Sequence, residues 1–343
     1  MACWMPERNL MLAIATKIAL ELQLDDAFDR LVGLSFKNAD SADSFHLMKR
    51  ARTWFGLLVL EKILQVDAGN LLGLKLKNIR RCRALLNKPF SAPLDPRLFS
   101  QVELNHLRAK INDNLTHSSD NILQAVHDAK IDLDVWYHDW KRIMETSPLS
   151  GPELPSLITN LTVQKHWGDA MAALRAVRAT GVHNIDMMTE EQKEVLNMGK
   201  EALQAHLDVV LTQTSYIENL LYAMDYVWAK CAFSFLLLLK LTILLPDGKD
   251  RDLVQQGRTL FHRTESQSGH GASKIYVKLL QLSIEKYGSR DHAESSDLDV
   301  FVPDEFIFEW DFPGLNLFSS PNGWDLLFDE SLLGDDLFAG IGT

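Results

Sequence analysis

The chain has 343 residues, 46% hydrophobic and 24% charged, with a formal net charge of −11. That composition suits one large or two medium folded domains and excludes a low-complexity chain. Cys3, Cys82 and Cys231 are too few and too scattered for a zinc site or a disulfide framework, so reduced thiols are expected.

Taken in chain order, MACWMPERNL lacks the basic start, apolar run and cleavage site of a secretory signal. Residues 1–24 instead predict an amphipathic helix, with Leu10, Ile14, Ile18 and Leu22 four apart. Ser44 is the expected N-cap of a helix reaching about Leu64, with Leu47, Ala51, Trp54 and Leu58 inward. Leu104, Leu107, Ile111 and Leu115 mark another. Ser118 and Ser119 offer caps for a long helix whose seam runs through Ile122, Val126, Ala129, Leu133, Trp136, Trp140 and Ile143. Three prolines and a glycine in SPLSGPELPS, Ser147 to Ser156, predict a loop.

Helix is expected again from Leu157 to Ala179. Thr189 and Gln192 form a capping-box signature, opening a helix with Leu196, Leu203, Leu207 and Val210 on one face. The segment Tyr216–Leu245 contains CAFSFLLLLKLTILLP, an apolar run interrupted by Lys240. It falls short of the ~20 residues that span a bilayer, so it reads as a central core helix. Two more helices, Leu253–Arg263 and Ala272–Tyr287, flank the turn-prone SQSGHGAS. The expected fold is all-α. Helical parts span 1–146 and 157–290, a Pro-rich loop spans 147–156, and an acidic-aromatic tail spans 291–343.

That tail is a different polymer. It holds thirteen acids and nine aromatics but no Lys, Arg or Tyr. Without it, 33 acids face 35 basic residues, so the body is near neutral and the tail carries −13. Acids alternating with Phe, Trp and Leu, as in DEFIFEWDF and WDLLFDESLLGDDLF, keep apolar groups in water and ready to dock on another protein. The tail is therefore expected to be disordered and to act as an acidic activation segment. Phe306, Phe308, Trp310, Phe312, Trp324, Leu327, Phe328, Leu332, Leu337 and Phe338 are its candidate contacts to coactivators. Trp324, Leu327, Phe328 and Leu332 also share one stripe of a short amphipathic helix. That stripe would suit a coactivator groove or the chain's own core.

The usual nucleotide-binding, nucleophile-elbow and zinc-protease motifs are missing. One metal-site pattern remains: DDAFD with Asp25 and Asp29, and NDNLTHSSD with Asn112, Thr116 and Asp120. Oxygens four apart on a helix bind Mg²⁺ with a diphosphate, and the pair of motifs resembles class I terpene cyclases. Against it, Asp25 lies close to the N-terminus, His117-Ser118-Ser119 reads as a helix break, and no Arg-Tyr pair stands near the end. An enzyme of that kind is the alternative reading, and no catalytic residue, metal or cofactor is assigned in the main one.

In KRARTWFGLLVLEKI, residues 49–63, Arg50, Arg52, Trp54, Phe55 and Glu61 form a basic-then-Trp helix followed by an apolar stretch and an acid. This resembles the middle homology region of fungal zinc-cluster transcription factors. LKLKNIRRCRALLNKPFSAPLDPRLFSQVELNHLRAKI and YVWAKCAFSFLLLLKLTILLP look like later parts of that region. The Gly-Arg-Pro that often follows the Trp helix is absent, as is the family's six-cysteine DNA-binding cluster. The resemblance implies a nuclear transcription regulator represented by its regulatory and activation portions. The partners expected are coactivators and a DNA-binding partner protein, without direct nucleic-acid or membrane contact. The near-neutral body agrees, since polyanion binding needs a surplus of basic residues. The cluster at Lys77, Arg80, Arg81 and Arg83 is a candidate for holding the acidic tail in an autoinhibited state.

Overall fold

A computed structural model of the chain describes residues 4–33, 42–68, 79–86, 88–117, 121–147, 151–182, 185–223, 225–247, 252–268 and 272–288. Among these there is no strand: the fold is all-α. The helices are α1 (Trp4–Glu21), α2 (Asp26–Gly33), α3 (Ala42–Ala68), α4 (Asp95–His117), α5 (Ile122–Thr146), α6 (Leu154–Ala179), α7 (Glu190–Thr212), α8 (Thr214–Glu218), α9 (Asp225–Leu244), α10 (Leu253–Glu265) and α11 (Ala272–Gly288). Short 3₁₀ segments lie at Ile79–Leu85, Gly151–Glu153, Ile185–Met187 and Asn219–Tyr222. No described helix is long and apolar enough to cross a membrane.

The chain forms two compact units, neither continuous in sequence. Over the described residues, the first lies within Met1–Ile111 and Asp132–Leu161, the second within Asn112–Ile131 and Thr162–Thr343. The boundaries fall inside α4, α5 and α6, not at the Pro-rich loop.

In the first unit, α1 and α2 pack on α3. The expected inward row of α3 is buried as predicted: Leu47, Ala51, Trp54 and Leu58. Phe55 lies edge-on to Phe28 at 5.5 Å and to Phe99 at 5.3 Å, the offset geometry that ring quadrupoles favour. Ser44 is not the cap of α3; the helix already begins at Ala42 and Ser44 is buried in its first turn. The expected face of α1 is also corrected. Leu10, Ile14, Ile18 and Leu22 are exposed, while Leu12 and Ala19 turn inward.

Along α5 the seam holds through Ile122, Val126, Ala129, Leu133, Trp136 and Trp140, all buried. At the last step Met144 takes the buried place predicted for Ile143. The N-terminal cap comes from Asn121, whose Oδ1 accepts the backbone N–H of Gln124 at 3.1 Å. Ser118 and Ser119 lie outside the described residues. Helix α6 starts at Leu154, with Pro155 in its first turn, where a missing N–H costs nothing. The predicted loop is correspondingly shorter.

In the second unit α9 is the central element, with α7 and α11 against it and α10 against α11. Trp228, Phe233, Phe235, Leu238 and Leu241 are buried along it. The capping box of α7 is present in both directions: Thr189 Oγ1 accepts from Gln192 N at 3.2 Å, and Thr189 N donates to Gln192 Oε1 at 2.9 Å. Leu196, Leu203, Leu207 and Val210 form the expected buried face. The predicted single helix over 216–245 is broken, with α8 and a 3₁₀ turn preceding α9. Trp228 Nε1 donates to the Leu220 carbonyl at 3.0 Å and ties that turn to the start of α9.

Gly257 lets α10 approach α9 closely. A Cβ there would overlap the Phe235 ring, which is itself fully buried. In an exposed helix Gly→Ala stabilises by up to about 1 kcal/mol. Here overpacking reverses the sign, and Gly257→Ala should destabilise by about 1–3 kcal/mol. Denaturant unfolding checks this; an unchanged or raised midpoint would mean the ring yields freely.

Candidate functional site

The ten predicted coactivator contacts, Phe306 to Phe338, lie outside the described residues, as does Asp120. The remaining candidates can be placed, and the structure gives most of them structural work.

The residues of the basic-then-Trp helix are staples of the first unit. Arg50 donates to the carbonyls of Leu22 and Gln23, fixing the turn between α1 and α2, where Gln23 has a positive φ of 53°. Arg52 forms a two-pronged ion pair with Asp95, at 2.7 and 2.8 Å, and donates to the Phe90 carbonyl at 2.9 Å. Asp95 also accepts the Ala92 N–H at 2.7 Å, holding the entry of α4. A planar fork on a carboxylate fixes direction as well as distance. Trp54, Phe55 and Glu61 are buried.

Within the basic cluster, Arg83 is already engaged. Its guanidinium donates to both oxygens of Glu103, at 2.8 and 2.6 Å, and to Asp139 at 3.1 Å, and it lies 5.1 Å from the Trp140 ring centre. Glu103, 7% exposed, further accepts from Trp140 Nε1 at 2.9 Å. The Glu103 hydrogen bonds hold the Arg83 pKa above its ordinary value. Arg83 is therefore committed to this network and not presented for an acidic tail; the side chains of Lys77, Arg80 and Arg81 lie outside the description. Burial, then the adjacent Glu103 charge, pushes the neighbouring Cys82 thiol up to about 12. Cys231, also buried, rises to about 11. Thiols held protonated in this way are not nucleophiles.

The described members of the metal-site pattern are exposed, and two of them are engaged in other hydrogen bonds. Asp25 and Asp29 are exposed at the start of α2 in the first unit, whereas Asn112 and Thr116 are exposed on α4 in the second. The Asn112 Oδ1 accepts from Arg175 at 3.0 Å, so the oxygen that would ligate Mg²⁺ faces a guanidinium. The Thr116 hydroxyl bonds back to the Asn112 carbonyl at 2.8 Å. Among the described residues no group of three or more His, Cys, Asp or Glu is placed to hold a metal ion.

Two features of the second unit escape sequence reading. One is a buried polar centre. Lys230, 3% exposed within the apolar α9, donates to Gln164 Oε1 at 3.0 Å and stands 6.0 Å from the Trp167 ring centre. His206 on α7 is fully buried, 6.1 Å from the same ring, and neither ring nitrogen has a hydrogen-bond partner among the described residues. The other is a half-open cleft of about 160 Å³ lined by α5, α6 and α7. Lys165 and Asp169 pair at 2.9 Å on its α6 wall, and Lys130 of α5 and Glu201 of α7 also line it. A Cβ on Gly199 would lie 3.3 Å from that of Ala173, so α6 and α7 run in close contact beside the cleft.

No protein-family model matches the sequence, and no curated protein or solved structure is significantly similar to it.

Burial, then the nearby Lys230 and His166 charges, lowers the His206 pKa to about 3. The unfolded chain takes up that proton near 6.5. Above pH 6.5 both states are neutral and the stability contribution is complete. Between pH 6.5 and 3 the unfolded state alone is protonated, and stability falls by up to about 1.4 kcal/mol per pH unit. His206→Leu should flatten the pH dependence of the unfolding free energy in that window relative to wild type. Parallel curves would show that His206 does not titrate on unfolding.

Proposed function

We propose that this protein is a regulator of transcription, an activator, which recruits coactivators through residues 291–343. The carrying observation is compositional: thirteen acids and nine aromatics in 53 residues, with no Lys or Arg, joined to a body of near-neutral charge. Mutual repulsion keeps such a segment from collapsing on itself, and its rings bind a groove on a partner by burying apolar area. The stripe Trp324, Leu327, Phe328 and Leu332 suits a helix-in-groove complex, and Phe308, Trp310 and Phe312 form a second anchor.

The body supports this reading in a supporting role. An all-α scaffold stapled by Arg50 and Arg52 gives the segment a stable carrier, and the near-neutral charge favours protein partners over direct phosphate binding. On this reading the protein works in the nucleus and reaches DNA through a partner protein. Arg83 lies in an internal network, so restraint of the segment by that arginine is not part of the proposal.

Alanine at Phe308, Trp310 and Phe312 together should lower activation of a tethered reporter several-fold, since aromatic anchors dominate such interfaces. The thermal midpoint of the purified protein should not change. A fall in midpoint with unchanged activation would place these rings in a folded core and refute the proposal.

A further inference from the structure

The cleft of the second unit carries a charge pattern that selects a ligand class. On its α6 wall the Lys165–Asp169 pair, 2.9 Å apart, is largely withdrawn from water, with side-chain exposures of 14% and 9%. Lys130 and Glu201, which also line the cleft, are exposed, and neither joins an ion pair among the described residues. Val126, Ala172 and Ala202 line the space with apolar surface, and two of these three are alanines, so the volume is left open where a longer side chain would fill it.

We propose that this cleft binds a small zwitterion of the α-amino acid class. A lone anion entering it would meet Asp169 and Glu201, and a lone cation would meet Lys130 and Lys165. A ligand carrying both signs is matched by both, its carboxylate toward Lys130 and its ammonium toward Glu201, beside the Lys165–Asp169 pair. Discrimination of this kind comes from the penalty imposed on the wrong partner as much as from attraction to the right one. The volume, about 160 Å³, sets the size. An engineered void of ~150 Å³ takes a benzene, so an amino acid with a short apolar side chain fits and an aromatic one does not. The apolar side chain would rest on Val126, Ala172 and Ala202.

The proposal rests on the second unit alone and stands whether or not residues 291–343 recruit coactivators. Its test is calorimetric titration of the full chain with each standard L-amino acid. The matching amines and carboxylic acids, each lacking one charge, serve as controls. A saturable complex with a small apolar amino acid is expected, weakened by about tenfold or more when either charge is removed from the ligand. Lys130→Ala and Glu201→Gln should each weaken it by about the same factor. Ala202→Leu should fill the cleft and abolish binding, and the two surface variants keep the test decisive even if that core change disturbs folding. Failure of every amino acid to bind would overturn the proposal. So would equal binding of the singly charged controls, or unchanged affinity in both Lys130→Ala and Glu201→Gln.

Discussion

Helix α9 has almost no wet face, and the second unit is organised by that fact. From Trp228 to Phe235 every side chain is buried, and apolar coverage has to come from the neighbours, α7 and α11 directly and α10 through the Gly257 contact. Burial on this scale stabilises by about 25 cal/mol for each Å² of apolar surface removed from water. It also penalises each polar group on or near the helix that lacks an internal partner. Lys230 finds Gln164, and Ser234 donates to the Cys231 carbonyl at 3.0 Å. At the C-terminal end Lys200, reaching from α7, donates to the Leu245 carbonyl at 2.8 Å and pairs with Asp247 at 3.3 Å. A cation at that point complements the helix dipole and satisfies a terminal carbonyl together. The polar residues of the second unit are thus largely explained by the apolar ones.

The first unit solves a related problem with carboxylates. Glu103 and Asp95 are each buried and each receives an arginine fork, from Arg83 and Arg52 respectively. Breaking such a pair from one side is far costlier than the pair is stabilising, because the survivor is left unpartnered away from water. The basic-then-Trp stretch of α3 is likewise taken up by structural contacts. Arg50, Arg52, Trp54 and Phe55 hold α1, α2 and α4 to α3, so what they report is architecture. Arg50 and Arg52 are spent on these contacts, and the functional reading rests on other parts of the chain.

Where one physical signal determined an element, the sequence was sufficient. The Trp136 and Trp140 seam of α5 and the Thr189–Gln192 box follow from periodicity and from cap chemistry, both local. The failures share a cause in non-local packing. Ile217, Leu220 and Trp228 all face the same core, so the apolar pattern runs on across the turn at Asn219–Tyr222 and hides the break. On α1 the spacing of Leu10, Ile14, Ile18 and Leu22 is helical, yet periodicity does not say which face meets α3, and Leu12 and Ala19 do. Of the candidate sites, the acidic-aromatic segment is read from composition alone, and its residues lie outside the described structure. The cleft was not. Lys165 and Asp169 look like any surface pair four apart, and alanines such as Ala172 and Ala202 give no sign of space beside them.

On the proposed reading, a stapled helical body carries a segment that would reach other proteins. The most direct test is sufficiency. Residues 291–343 alone, fused to a heterologous DNA-binding domain, should activate a reporter strongly. A fusion that is expressed, nuclear and silent would contradict that reading and remove the basis for treating this protein as an activator.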